Sequence, residues 1–162
     1  MSSVKVYLAG TISKDEKHLE WRKRARTVLD GLEVSPGEFI TTVDPVRFQD
    51  PSNFERDGLH DSTIPSRVFV ARDIRDVLDS HAIFAVYYQE TGLTKERRQS
   101  IGTWMELFGA HMHSIPSVLV TDDPDVRDHP FSEYCVTHVC RNLEDGLKML
   151  KLVLGIAPTS VV

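Results

Sequence analysis

The sequence predicts an α/β protein: a three-layer sandwich in which helices cover both faces of a mostly parallel, five-stranded sheet. Along the chain, short apolar runs alternate with longer segments whose apolar residues recur at helical spacing. One of these runs, HAIFAVYY at residues 81–88, is apolar almost throughout, which is typical of a central parallel strand covered on both faces. Strands that alternate with helices favour parallel pairing through right-handed crossovers.

The first half of the chain begins with two strands and the helix between them. Residues 4–9 (VKVYLA) form the first predicted strand, which ends at Gly10. An amphipathic helix is predicted over residues 15–32, and its apolar positions are Leu19, Trp21, Ala25, Val28, Leu29 and Leu32. Residues 38–43 (EFITTV) form the second strand. A loop of about twenty residues, rich in Asp, Pro, Ser and Gly, follows, and loops this long are usually functional or mobile.

The second half continues the alternation with a helix over residues 66–78, whose apolar side is predicted to comprise Val68, Ala71, Ile74, Val77 and Leu78. The further elements are a strand at 81–88, a polar insertion, a helix that begins near Gly102, strands at 116–121 and 133–139, and a final helix from Leu143. This order is that of a Rossmann-like or flavodoxin-like fold, in which ligands bind outside the carboxyl ends of the strands. We expect one domain over residues 1–155, with a tail at 156–162.

Composition narrows the classes of function. The chain has 162 residues, of which 41% are hydrophobic and 27% charged, as expected of a globular protein. Its net charge of -5 argues against a nucleic-acid polymer as partner, because such binding depends on neutralising phosphates. The sequence has no signal-peptide run and no apolar stretch of membrane-spanning length, so we expect no membrane partner and a cytoplasmic location.

We expect no metal and no cofactor. Cys135 and Cys140 are too far apart for a CxxC redox pair and lack the other ligands of a zinc site, so we interpret both as buried small residues. If the segment that holds them is a strand, their odd separation of five residues places the side chains on opposite faces, which disfavours a disulfide between them. His111 and His113, two residues apart on the predicted helix, do not share a face. The aspartates at 122–128 lack EF-hand spacing and are interpreted as an acidic surface loop.

Glu106 is the best placed carboxylate for chemistry. No G-x-G-x-x-G follows the first strand and no Walker motif occurs, which removes two common phosphate-binding signatures. Glu106 stands three residues after Thr103 at the predicted helix start, a spacing that fits a capping box. The same position suits a nucleophile, because the positive end of the helix dipole would keep the carboxylate ionised at neutral pH. From spacing alone, both interpretations stay open.

Three blocks of sequence give the chain a resemblance to a known family. They are YLAGTI at 7–12, RDIRDVLDSHAIFAV at 72–86 and GTWMELFGA at 102–110. With these blocks in this order, the chain resembles the nucleoside 2-deoxyribosyltransferases and the related nucleotide N-glycosidases. The third block fits the family pattern G-T-x-x-E-x-G-x-A with one departure, since Phe108 stands before Gly109.

The resemblance implies a role for each matching residue. Glu106 would be the nucleophile that attacks the anomeric carbon of the sugar, and Tyr7 would hold it by a hydrogen bond. Asp73 would lie in the pocket for sugar and base. Gly10 and Thr11 would form the turn that lets the substrate approach the backbone.

The third block and the residues before it imply further contacts to substrate. Gly102 and Thr103 are expected beside the substrate, as is Ser100. Ser100 departs from the family, whose transferases commonly carry an aspartate six positions before the glutamate, where it assists the departure of the base. A serine cannot act as a carboxylic acid, so the general acid would be Asp73, an insertion residue such as Glu96, or unnecessary. This departure puts base exchange in doubt more than it does glycosidic cleavage.

Basic residues near the expected site suggest a contact to phosphate. Arg98, with its neighbours Lys95 and Arg97, and Arg22 in the first helix are candidates for holding a 5′-phosphate, and solvated surface charges are the alternative interpretation. In the family, a neighbouring subunit completes the pocket, which here would involve residues 132–134. A homo-oligomer, a dimer or higher, is therefore expected.

The function that the resemblance implies is cleavage of the N-glycosidic bond of a nucleoside or nucleotide through a covalent glycosyl-glutamate intermediate. Transfer of the sugar to another base is the leading expectation. The alternatives are hydrolysis of a nucleoside 5′-monophosphate and, in another class, a nucleotide-binding sensor without turnover.

Overall fold

A computed structural model describes residues 2–12, 16–47, 63–88 and 101–157. Its strands are β1 (Ser2–Gly10), β2 (Glu33–Ser35), β3 (Glu38–Val43), β4 (Ala82–Tyr87), β5 (Ser117–Thr121) and β6 (His138–Cys140). Its helices are α1 (Glu16–Leu29), α2 (Ser66–Leu78), α3 (Ile101–Met112), α4 (Pro124–Arg127), α5 (Pro130–Cys135) and α6 (Leu143–Val153). The described residues include no helix long and apolar enough to cross a membrane.

The strands form one sheet in the order β2-β3-β1-β4-β5-β6, in which every pairing is parallel except that of β2 with β3. Two apolar cores lie on its two faces. One core holds the buried sides of α1 and α6, and the other holds those of α2, α3 and α4. The predicted three-layer α/β sandwich is therefore confirmed, and each fully buried central strand, β4 and β5, has helices on both faces.

The sheet has six strands where the sequence predicts five. The additional strand, β2, is three residues long and turns back into β3 through Gly37, whose φ is 81°. A segment this short has too few residues to show the alternation on which strand prediction depends.

Of residues 133–139, predicted as a strand, the first three belong to a helix and only the last two to a strand. Pro130 opens the short helix α5, and the His129 Nδ1 atom caps it by accepting a hydrogen bond from the Phe131 amide. Only His138–Cys140 pair with β5. Cys135 and Cys140 thus lie in different elements, both as free thiols, and Cys135 is only partly buried.

The segment expected to be an acidic surface loop contains a helix. The Asp123 side chain is buried and accepts a hydrogen bond from the Asp125 amide, which caps the short helix α4 at its first turn. Asp123 and Asp125 thus lie at the start of a helix, where negative charge is favourable, and Asp128 caps its end.

The face of α2 that contacts the sheet differs from the predicted one. Its bounds agree with the prediction, but the inward side consists of Asp73 and Val77. Four of the five side chains predicted to be buried are exposed, namely Val68, Ala71, Ile74 and Leu78, and Val77 alone is buried as predicted. The apolar stripe of α2 therefore faces away from the core.

Candidate active site

The topology opens a crevice at the carboxyl ends of β1 and β4. These strands are neighbours, yet β1 leads into α1 on one face of the sheet and β4 leads into α3 on the other. Such a switch in direction leaves the space between the two strand ends uncovered, and this is where open α/β sheets bind ligands. Tyr7 near the end of β1 and Glu106 on α3 both lie on the α3 face of the sheet beside this point.

A hydrogen bond joins these two residues. The Tyr7 hydroxyl donates to the Glu106 Oε1 atom over 2.7 Å. Tyr7 is fully buried in the core beneath α3. Its burial, and then the nearby charge of Glu106, raise the pKa of the phenol far above its usual value, so the hydroxyl stays protonated and can only donate to the carboxylate.

The environment of Glu106 raises its pKa to about 7. Burial of the carboxyl group is the largest cause, and the negative charge of Asp73 acts in the same direction. The hydrogen bond from Tyr7 and the positive charge of Arg22 both lower the pKa. The carboxylate and the protonated acid are consequently both populated near neutral pH.

This environment corrects two expectations about Glu106. The described part of α3 already begins at Ile101, so Thr103 lies inside the helix, where it is buried, and cannot be its N-cap. The capping-box interpretation is wrong for this reason. Glu106 lies beyond the first turn, where the dipole effect has fallen off, and burial outweighs it, so the carboxyl group is not fully ionised at neutral pH.

Asp73 reaches the same crevice from the inward side of α2, with 5% of its surface exposed. Its Oδ1 atom accepts two hydrogen bonds from Arg72, from Nε over 3.0 Å and from Nη2 over 2.9 Å. Burial nevertheless raises the pKa of Asp73. Its other oxygen, Oδ2, accepts no hydrogen bond from the described residues, which leaves it able to bind a hydroxyl or an amino group.

Gly10 ends β1 with a φ of 155° and is required by packing. A Cβ atom there would lie 2.7 Å from the carbonyl oxygen of Val86 and 2.8 Å from the Cζ2 atom of Trp21. The position that a side chain would occupy is thus filled by the neighbouring strand and by α1, which differs from the expected reason, close approach of a substrate. Thr11 follows at the crevice and is partly exposed.

We expect Gly10→Ala to lower the free energy of unfolding by about 3 kcal/mol, because the methyl group meets backbone that cannot move aside. Chemical denaturation measures the change. Gly109→Ala is the matched control, since a Cβ at that helical position meets nothing within 4 Å, and it should stabilise the fold by up to about 1 kcal/mol. Equal unfolding midpoints for wild type and Gly10→Ala would contradict this packing.

Arg22 fits neither of its two interpretations. Its side chain is 1% exposed, and it donates to the backbone carbonyl oxygens of Leu8 and Gly10 over 2.7 and 2.8 Å and to Asp44 Oδ1 over 3.1 Å. It is therefore neither a solvated charge nor a cation free to hold a phosphate. Asp44, the first residue after β3, has no signal in the sequence beyond its place at a strand end.

The other predicted contacts are placed as follows. Gly102 is exposed on α3, on the turn before Glu106, and Thr103 is buried beneath that turn. Ser132 is buried, and its hydroxyl donates to the Val126 carbonyl, so it cannot reach into a neighbouring subunit as expected. The predictions for Ser100 and for Arg98 with its basic neighbours fall outside the described residues.

Solved structures share this fold over nearly the whole chain. The 2-deoxyribosyltransferase of the psychrotolerant bacterium Bacillus psychrosaccharolyticus is 16% identical, with 96% of this chain and 99% of that chain covered and a TM-score of 0.59. A conserved protein of Enterococcus faecalis V583 is 16% identical over 93% and 99% of the two chains, with a TM-score of 0.56. The CMP N-glycosidase of Clostridium botulinum is 14% identical over 91% and 98%, with a TM-score of 0.51.

The likeness to these proteins lies in structure. No protein-family model matches the sequence, and comparison with curated protein sequences gives no match. At 14 to 16% identity, what is shared is the fold. The resemblance suggested by the three sequence blocks is thus confirmed at the level of architecture.

Proposed function

We propose that the chain cleaves the N-glycosidic bond of a nucleoside or nucleotide, with Glu106 as nucleophile, and passes the sugar to another base. The observation that carries the proposal is the 2.7 Å hydrogen bond from Tyr7 to Glu106 in the crevice between β1 and β4. Two of the structures that share this fold are named as a 2-deoxyribosyltransferase and a CMP N-glycosidase, which supports the same class of reaction.

The reaction has two steps. In the first, a Glu106 carboxylate oxygen attacks the anomeric carbon, the bond from that carbon to the base nitrogen breaks, and its electron pair leaves with the base. In the second, a nitrogen of another base, or water, attacks the same carbon, gives its proton to the ionised Asp73 and releases the Glu106 carboxylate. Tyr7 holds one carboxylate oxygen by its hydrogen bond, which leaves the other oxygen to attack.

Asp73 is our candidate for assisting the departing base. Its pKa is raised by burial, so its proton is retained to higher pH than that of an ordinary aspartate. Its Oδ2 atom has no hydrogen-bond partner among the described residues and can donate a proton to the base nitrogen or bind a sugar hydroxyl. Asp73 would then take the role in base departure that the family resemblance gives to an aspartate six positions before the glutamate, where this chain has Ser100.

One incubation tests the function and separates it from its alternatives. The protein is mixed with a 2′-deoxynucleoside and a different free base, and separately with a nucleoside 5′-monophosphate, and products are separated by chromatography. A new nucleoside supports transfer, and free sugar or sugar phosphate supports hydrolysis, the second candidate. Binding of these compounds without any product would contradict the proposal and favour a nucleotide-binding sensor.

Tyr7→Phe should shift the pH dependence of kcat/KM. The hydrogen bond from Tyr7 lowers the pKa of Glu106, so its loss raises that pKa above about 7. Because the nucleophile must be ionised, the acidic limb of the profile should move to higher pH, while activity well above the new pKa changes less. An unmoved acidic limb in a folded variant would show that Tyr7 does not act on the ionisation of Glu106.

We further propose that the active protein is a homodimer formed through the outer side of α2, α3 and α5. Among the described residues, every exposed large apolar side chain except Leu152 lies on these three helices. On α3 they follow one stripe: Ile101, Met105, Phe108 and Met112. An apolar surface of this extent on one side of a soluble protein is characteristic of an interface.

The charges beside this stripe fit a second copy of the same chain. α3 packs against α2 on one side and α5 on the other. A twofold axis that runs along α3 places α2 of one copy against α5 of its partner. The exposed charges then match, since α2 presents Arg67 and Arg75 and α5 presents Glu133.

The same surface contains a recess suited to a partner's side chain. A cleft of about 350 Å³ between α3 and the α4–α5 segment is lined by Trp104, Met105, Phe108, Asp125, Val126, His129, Phe131 and Cys135. Apolar clefts of this kind hold the side chains that contribute most to binding at protein interfaces. Tyr134 on α5, 74% exposed, and the exposed Glu133 beside it are the residues of the expected partner segment that can extend to a neighbour.

A further inference from the structure

The sheet is incomplete on one side of β1, next to the proposed active site. β1 pairs with β3 only as far as Tyr7 with Val43, but it pairs with β4 up to Gly10 with Val86. The last three residues of β1 therefore have a neighbouring strand on one side only. Carbonyl groups of alternate residues point to the same side of a strand, so a side that lacks a strand leaves alternate carbonyl oxygens without partners.

Arg22 occupies the place of the missing strand. Its Nη1 atom donates to the Leu8 carbonyl oxygen over 2.7 Å, and its Nη2 atom donates to the Gly10 carbonyl oxygen over 2.8 Å. These are alternate residues of β1, whose carbonyl groups point to the same side of the strand. Nη1 also donates to Asp44, directly after β3, so the guanidinium ties together the two strand ends that diverge.

Several contacts keep this guanidinium in one orientation. Its Cζ atom lies 4.4 Å from the centre of the Trp21 ring, against which it stacks. Asp44, itself buried, balances its charge and also accepts a hydrogen bond from the Val46 amide over 3.0 Å. Burial lowers the pKa of Arg22, but the guanidinium of arginine stays protonated in proteins.

We propose that Arg22 is a positioning residue for the Glu106 site: by replacing the missing strand it fixes the end of β1, and with it Tyr7 and the Gly10 turn, against Glu106. The inference rests on the proposed function only in naming that site. Arg22 belongs to α1, on the opposite face of the sheet from α3, and has no contact with the Tyr7–Glu106 pair. Its role there would be exerted through the end of β1.

The charge of Arg22 has a second consequence for Glu106. Among the residues that the structure describes, the titratable and charged groups that act on Glu106 are Tyr7 from β1, Asp73 from α2 and Arg22 from α1. Burial and Asp73 raise the pKa of Glu106, and the positive charge of Arg22 opposes them. Removing that charge should therefore leave less carboxylate at neutral pH, an effect that a purely structural residue would not produce.

The test is an NMR titration of the Glu106 side chain in protein labelled with ¹³C at glutamate carboxyl groups, assigned with Glu106→Gln. In Arg22→Met we expect the pKa of Glu106 to rise by about one unit, a tenfold gain in proton affinity. The matched control is Arg24→Met, because Arg24 is two residues away on the same helix, exposed and paired with Glu144 at the surface. That variant should leave the titration unchanged, and an unchanged titration in folded Arg22→Met would overturn the proposal.

Arg22→Lys keeps the positive charge but lacks the two NH2 groups of the guanidinium. It provides the test if Arg22→Met does not fold. Here we expect a Glu106 titration near that of the wild type, with hydrogen exchange of the amides at residues 9–12 at least tenfold faster, because a lysine cannot bind both carbonyl groups in one plane. Exchange as slow as in the wild type would overturn the positioning role.

Neither measurement requires turnover. A protein without glycosidic activity whose Glu106 titration shifts as expected would contradict the proposed function and leave the role of Arg22 intact. An active protein whose Arg22 variants show neither effect would support the proposed function and overturn the role of Arg22.

Discussion

Glu106→Gln should abolish product formation, with kcat/KM reduced by about 10⁴-fold or more, because an amide oxygen cannot form the glycosyl intermediate. Glutamine has nearly the same shape as glutamate, and its carbonyl oxygen can still accept the hydrogen bond from Tyr7. Substrate affinity, measured by calorimetry, should therefore change little. Turnover within tenfold of the wild-type rate would show that Glu106 is not the nucleophile.

The same variant should be more stable than the wild type at alkaline pH. The pKa of Glu106 is raised from 4.5 to about 7, so the native state holds this proton more tightly than the unfolded chain does. The wild type accordingly loses stability as the pH rises from 4.5 through about 7, and glutamine, which cannot ionise, escapes that loss. Melting temperatures at pH 8 and pH 4 should show the difference at pH 8 alone, which also confirms that the inactive variant is folded.

Met105→Glu should convert the protein to monomers. Met105 is 64% exposed in the isolated chain and lies at the middle of the apolar stripe on α3, so in the proposed dimer a carboxylate at this position is buried near its own symmetry mate. We expect the dissociation constant of the dimer to rise about 100-fold or more, as for a central interface residue. Light scattering over a dilution series measures it.

Leu152→Glu is the control for that experiment. Leu152 is also exposed, at 48%, but it lies on α6, which packs on the other face of the sheet. The same substitution there should leave the oligomeric state unchanged. A wild-type protein that is monomeric at micromolar concentration, or two variants with equal effects, would contradict an interface through α3.

The sequence predicts the architecture because its signals are local. The apolar run of β4 and the bounds of β3 and α2 follow from strand alternation and helical periodicity. The elements it misses are short: β2 has three residues and is held by a turn. The residues of α5 favour a strand, but Pro130 at its first position and the cap from His129 start a helix there.

Which face of a helix is buried depends on the whole assembly. The periodicity of α2 locates an apolar stripe correctly, but except for Val77 the stripe faces outward, and Asp73 faces inward. The usual inference, that an apolar stripe covers the core, assumes a monomer. An outward apolar stripe next to that of α3 is expected if one side of α2 contributes Asp73 to the Glu106 site and the other side contacts a second subunit.

For the site, too, the sequence predicts what depends on neighbouring residues and misses what depends on distant ones. The blocks around Tyr7, Asp73 and Glu106 can be recognised in the sequence, and the fold brings these residues together at one crevice. The raised pKa of Glu106 could not be anticipated, since it depends on burial, on a hydrogen bond from β1 and on charges from α1 and α2. Arg22 was misinterpreted because nothing near it in the sequence indicates that β3 ends before β1 does.

Mass spectrometry of the protein after rapid acid quenching with a 2′-deoxynucleoside tests the central claim most directly. During turnover, a fraction of the chains should carry one additional deoxyribosyl group, and peptide fragmentation should locate it on Glu106. The adduct should be absent from Glu106→Gln. Product formation by the wild type with no adduct, or with the sugar on another residue, would contradict a covalent mechanism through Glu106.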